Sequence, residues 1–152
     1  MNAETLISLF ERDLNKLIIE IELYKREEDI WRVEKNISNS AGNLALHLVG
    51  NLNTFIGKEI GRTNYVRNRE LEFSQKNVPK KELIENINNT IQVVKDSLIK
   101  VTNEDLQKDY PILKFSETTT TEYLLVHLFA HLSYHLGQIN YHRRLIDKLD
   151  CC

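Results

Sequence analysis

Cysteine is nearly absent from this chain of 152 residues. The only two, Cys151 and Cys152, stand side by side at the end, where they cannot staple a fold. They read as free thiols, because a chain end is not preorganised for ligation, and the expected compartment is reducing and cytoplasmic. Proline (two) and glycine (five) are scarce as well, so little interrupts the backbone and long helices are expected. No apolar run approaches the roughly 20 residues needed to span a bilayer. The opening MNAETLISLFERDLNK carries acids where a secretory leader needs an apolar core. No charge of one sign dominates either: the net charge is −2, so no basic field points to nucleic acid. Hydrophobic residues at 41% and charged residues at 28% suit one ordinary globular domain over 1–152, long enough for a sizeable core.

What is present is helical periodicity. Leu6, Phe10, Leu14, Leu17, Ile21 and Tyr24 recur at three- and four-residue spacing, which predicts a first helix from Ala3 to about Arg26. Residues 27–40 break the period and contain Trp31. Ser38 or Ser40 then opens a second helix that ends around Gly57 to Gly61. Residues 62–78 lack clean periodicity and read as a long crossover. Pro79 takes the first position of a third helix, where its missing N–H costs nothing, and Leu83, Ile87, Ile91, Val94 and Leu98 carry that helix to about Val101. Thr102 caps one extra turn through Leu106, and Tyr110 to Ser116 is extended or irregular. Thr119 and Glu122 fit a capping box opening a fourth helix to about Leu149. The expected fold class is all-α: a four-helix bundle, up-down-down-up, with helices 1 and 2 as antiparallel neighbours and a long crossover between helices 2 and 3.

The histidines are the chemical feature. His127, His131, His135 and His142 share the last helix, and His47 stands alone on the second. Spacing at i and i+4 puts imidazoles on successive turns of one face. Their stripe also holds Gln138 and is polar yet uncharged, and around His47 the residues Asn43, Gly50 and Asn51 are uncharged and small. Two such faces meeting would line a polar cavity. Neutral imidazole suits zinc, nickel, copper or iron(II), and three protein ligands leave the open positions of a catalytic site. The competing interpretation is a set of hydrogen-bonded bundle histidines. Spacing leaves open whether the pair is His131 with His135 or His127 with His131. His142 lies about 10 Å beyond His135 along the axis, too far to share an ion, and reads as a supporting or surface residue. HExxH is absent, as is Glu-x-x-His, so zincin and di-iron chemistry are not favoured.

NSAGNLALHLVGNL followed much later by HLFAHLSYHLGQI resembles the DinB-like superfamily of metal-binding four-helix bundles. The likeness extends through the Trp31 loop and the crossover VRNRELEF. It points to a branch without assigned activity, related to the bacillithiol- and mycothiol-dependent transferases. The resemblance implies a metal triad at His47, His131 and His135, holding a divalent transition ion such as zinc or nickel, or else iron or manganese. It implies a low-molecular-weight thiol (bacillithiol, mycothiol or glutathione) as co-substrate, and a homodimer. Asn43, His127, Tyr134 and Gln138 are then candidates for orienting the ligands or the substrate. Arg62, Arg67 and Arg69 either bind a carboxylate of the thiol or pair with Glu70 and Glu72 as solvated loop charge. Trp31 and Phe73 are expected to seal a bundle end, with stacking on a ligand as the alternative.

Two functions follow as expectations. One is a metal-dependent thiol S-transferase acting on small electrophiles, needing no membrane or nucleic-acid partner. The alternative is a non-enzymatic stress-response or ligand-binding bundle with a structural or vestigial metal site. Haem held between two histidines is a third, disfavoured by a third histidine on the same face.

Overall fold

The computed structural model describes residues 1–149, and Cys151 and Cys152 lie outside the described residues. Helix α1 spans Ala3–Glu22, with the Asn2 side chain accepting from the Thr5 N–H at 2.8 Å as its cap. It stops short of the predicted Arg26. Tyr24 is buried as its spacing suggested, but it enters the core from the turn that follows, where its carbonyl accepts from Lys80 Nζ at 3.0 Å. A short 3-10 helix, Glu27–Trp31, comes next. Its Asp29 carboxylate is buried and bonded to Arg26.

Helix α2, Ala41–Leu52, is capped by Ser40 and continues as a π-helical turn over Asn53–Lys58. Thr54 and Asn53 each donate to a backbone carbonyl four residues back, at 2.7 and 2.8 Å, where the helix passes into the π turn. The crossover is not featureless. It contains α3, Arg69–Ser74, opened by the Asn68 side chain accepting from the Leu71 N–H at 3.1 Å. Six residues are too few for periodicity to show.

Helix α4 is Lys80–Leu98, with Pro79 as the residue before it and not its first member. Thr102 and Asp105 form a reciprocal capping box on α5, Asn103–Gln107. Residues 110–116 are irregular, with one isolated bridge between Asp109 and Thr120 nearby. Helix α6 runs Thr121–Leu149. Its cap is Thr120, whose hydroxyl accepts from the Tyr123 N–H at 3.2 Å, one residue later than predicted. Glu122 binds the chain's N-terminal amine and Gln107 instead.

The described residues contain helices and no strand. Helix α1 packs on α4 and α6, and α2 also packs on α4 and α6, so α1 and α2 are not close neighbours as expected. The eighteen-odd residues linking them are long enough to cross over the structure. Leu6, Phe10, Leu14, Leu17, Leu48, Leu52, Leu83, Ile87, Leu124, Leu128 and Leu132 are fully buried between the helices. Each such side chain contributes about 1.5–3 kcal/mol relative to exposure. Trp31 closes one end against Gly42, where a Cβ would fall 2.6 Å from the indole. No helix among the described residues is long and apolar enough to cross a membrane.

Candidate metal centre

Helix α2 carries His47 into the interior at 7% exposure, facing the middle of α6. There the Nε2 atoms of His47 and His131 are 3.2 Å apart, and those of His131 and His135 are 3.1 Å apart. One ligand atom from each of the three lies within 4.8 Å of the others. Tetrahedral coordination at metal–nitrogen distances near 2.05 Å separates nitrogens by about 3.3 Å, so this spacing fits a three-histidine face.

The outer nitrogens reinforce the convergence. Nδ1 of His47 donates to Glu72 Oε1 at 3.0 Å, and Nδ1 of His135 donates to Gln138 Oε1 at 2.7 Å. Carbonyl and carboxylate oxygens only accept, so both rings hold the proton on Nδ1 and aim a lone pair from Nε2. His131 Nδ1 is buried with no partner among the described residues, as is Asn51 Oδ1 one turn after His47. Orphaned polar atoms beside converging lone pairs leave this group of side chains with unused bonding capacity. The donor set fits a borderline transition ion. Burial, followed by the neighbouring His135 and His47, pushes the His131 pKa down to about 3. Burial also lowers His47, against the opposing pull of Glu72. Both rings are therefore neutral at ordinary pH.

Glu72 was not among the expected site residues. It is 6% exposed and held by Arg67 through paired bonds of 2.7 and 2.8 Å. Gly50 makes room for it, since a Cβ there would collide with the carboxylate. Phe73, on the same short helix, lies 4.9 Å from the His47 ring, so it covers a candidate ligand and does not seal a bundle end. The signals were present in Asn68 as a cap, in the Arg67–Glu72 spacing and in Gly50 one turn past His47. The absence of periodicity in the crossover hid them.

The remaining candidates separate. Gln138 supports His135 directly. Tyr134 is 64% exposed and touches the His135 ring at a centroid distance of 5.4 Å. Asn43 does not face the triad. It is fully buried, and its amide donates to the carbonyls of Glu72 and Gln75 at 3.0 and 2.8 Å, with Ser40 and Lys76 on its oxygen. It therefore fixes the segment that carries Glu72. His127 packs against Phe115 and lies 6.5 Å, ring to ring, from His131. His142 is neither surface nor support: it is 4% exposed, bonded to the Tyr24 hydroxyl at 2.6 Å and the Arg32 carbonyl at 2.8 Å. Arg67 pairs with Glu72 as one of the two expectations held, while Arg69 stacks over Phe73.

No curated protein matches this chain at a significant level. A family model does: that of DUF1572, described as a protein of unknown function, matches residues 7–151. All three converging histidines, Glu72 and Gln138 fall inside the match. The chain belongs to the DUF1572 family, a group of DinB-like helical proteins.

Proposed function

We propose that His47, His131 and His135 hold one divalent transition metal, zinc or nickel foremost, and that the protein is a metal-dependent thiol S-transferase acting on small electrophiles. The observation that carries this is the convergence of three Nε2 atoms, with Glu72 and Gln138 fixing the outer nitrogens of two rings. A divalent metal held there supplies Lewis acidity that brings a thiol's pKa toward neutrality. The chain's own part is positioning. Glu72 and Gln138 hold two imidazoles in register, Phe73 shields His47 from water, and neutral His131 keeps its lone pair available. In the overall reaction a sulfur–carbon bond forms, the electrophile's leaving group departs, and the thiol proton passes to solvent or to that group. No strong carboxylate base is required, which agrees with the absence of HExxH.

Two cavities support an open reaction centre over a closed structural site. One of about 300 Å³ reaches His47 and His131, and another of about 530 Å³ reaches His135 past Tyr134, Leu44 and Gln138. The bundle topology in this proposal is up-down-down-up. Lys95 bonding Glu11 while Lys80 bonds Glu22 supports α4 antiparallel to α1, Ser133 bonding Asp13 while Asn140 bonds Glu20 supports α6 parallel to α1, and Asn53 bonding Thr90 supports α2 alongside α4. A cytoplasmic homodimer completes the proposal.

The test is a thiol-transfer screen of the zinc- and nickel-loaded protein with bacillithiol, glutathione and cysteine against monochlorobimane. Turnover that disappears in His131→Ala supports the transferase. No turnover with any thiol favours the non-enzymatic binding module.

A further inference from the structure

The cavity over His47 and His131 has an unusual wall. Arg67, Arg69, Lys114 and Asn51 line it, and no carboxylate does, in a chain where acids outnumber Lys and Arg 22 to 20. Among the described residues only Arg67 of these cations pairs with an acid, Glu72 behind it. Arg69 and Lys114 meet aromatic faces in place of acids. The Arg69 guanidinium sits 5.9 Å from the Phe73 ring centre, and Lys114 Nζ sits 4.8 Å from that of Phe55 and 5.1 Å from that of Phe115. Aromatic faces position a cation without cancelling its charge. Burial and the repulsion of Arg67 and Arg69 hold the Lys114 ammonium below the ordinary lysine range, as a crowded positive field should. Asn51, on the same wall, lacks a donor and not an anion. It is 4% exposed, and its carboxamide oxygen is bonded to nothing among the described residues.

We infer that this cavity is an anion subsite that takes a carboxylate of the small-molecule substrate, with Arg69 and Lys114 as its charge partners; the Asn51 oxygen, an acceptor, is left for a donor group of the same substrate. The inference rests on the reading of the triad as a reaction centre and names the substrate class for it: a carboxylate-bearing thiol or electrophile. One guanidinium fork matches the paired oxygens of a planar carboxylate. The volume, about 300 Å³, lies at the lower end for small-molecule sites. Arg69 is exposed and Lys114 half-buried, so both charges are available to an anion in the metal-free protein.

Calorimetric titration of succinate, succinamide and inorganic phosphate into EDTA-treated protein and into zinc-loaded protein tests this. Succinate is expected to bind the metal-free protein, with at least tenfold weaker binding for Arg69→Gln/Lys114→Gln and none for the uncharged succinamide. Binding to the EDTA-treated protein reads the subsite with no ion held, and zinc uptake is measured apart from it, so failure of the metal reading and failure of the anion subsite are read separately. The subsite is overturned if succinate does not bind, if succinamide binds as tightly, or if phosphate binds more tightly. Retained affinity in the double variant also overturns it. The succinate–succinamide comparison on the unmodified chain stands even if the double variant does not fold.

Discussion

Glu72 accepts the Nδ1 proton of His47 at 3.0 Å, across 25 residues of sequence, and so fixes which nitrogen of that ring faces the other two histidines. The same carboxylate takes two bonds from Arg67, so α3 ties the crossover to His47.

Glu72→Gln should therefore weaken zinc affinity by roughly 10–100-fold, the usual effect of losing a ligand's hydrogen-bonded support. Competition with a chromophoric chelator reads it directly. Gly50→Ala should act in the same direction by pushing the carboxylate away from His47, without altering any titratable group.

Asn43→Ala should release the crossover. The buried carbonyl of Glu72 and the more exposed one of Gln75 would lose their donors, for about 1–3 kcal/mol in urea unfolding. Zinc affinity should fall with it, because the segment carrying Glu72 is no longer pinned. A loss of stability with unchanged affinity would mean that α3 is held without Asn43.

Tyr24→Phe should behave differently. It removes the 2.6 Å bond to buried His142 at a place remote from the triad, so about 1–3 kcal/mol of stability goes while zinc affinity stays. The pair of measurements separates fold histidines from candidate metal histidines.

Acid should destabilise the metal-free protein. Burial lowers the pKa of His142 and of His47, and that of His131 to about 3, below the value near 6.5 of an unfolded histidine. As pH falls past about 6.5 the unfolded chain takes up protons first, so stability is full above that point and declines below it toward the folded pKa values. Each fully buried histidine contributes a slope of up to about 1.4 kcal/mol per pH unit. The urea midpoint in EDTA should drop between pH 7.5 and pH 5; a flat or rising midpoint would contradict the neutral buried state.

Much of the helical content was legible because long amphipathic stripes announce themselves. The α1 and α4 faces, the Ser40 cap and the Thr102 turn follow from local spacing and hydroxyl capping. The histidine grouping was legible in two steps: spacing left two pairs open, and the family resemblance chose His131 and His135. Three things were hidden. The α1 end depends on Lys80 drawing in the Tyr24 carbonyl, a contact 56 residues long in sequence. Helix α3 is too short for a period. His142 and Asn43 look like exposed-stripe or site residues in sequence, and only packing against Arg32, Tyr24 and the crossover makes them parts of the fold.

The most direct measurement is metal stoichiometry by inductively coupled plasma mass spectrometry after zinc loading and gel filtration. About one zinc per chain is expected for the unmodified protein and for His127→Ala, with loss in His131→Ala/His135→Ala that still folds by circular dichroism. Zinc retained in that double variant, or none bound by the unmodified chain, would contradict a metal centre at His47, His131 and His135.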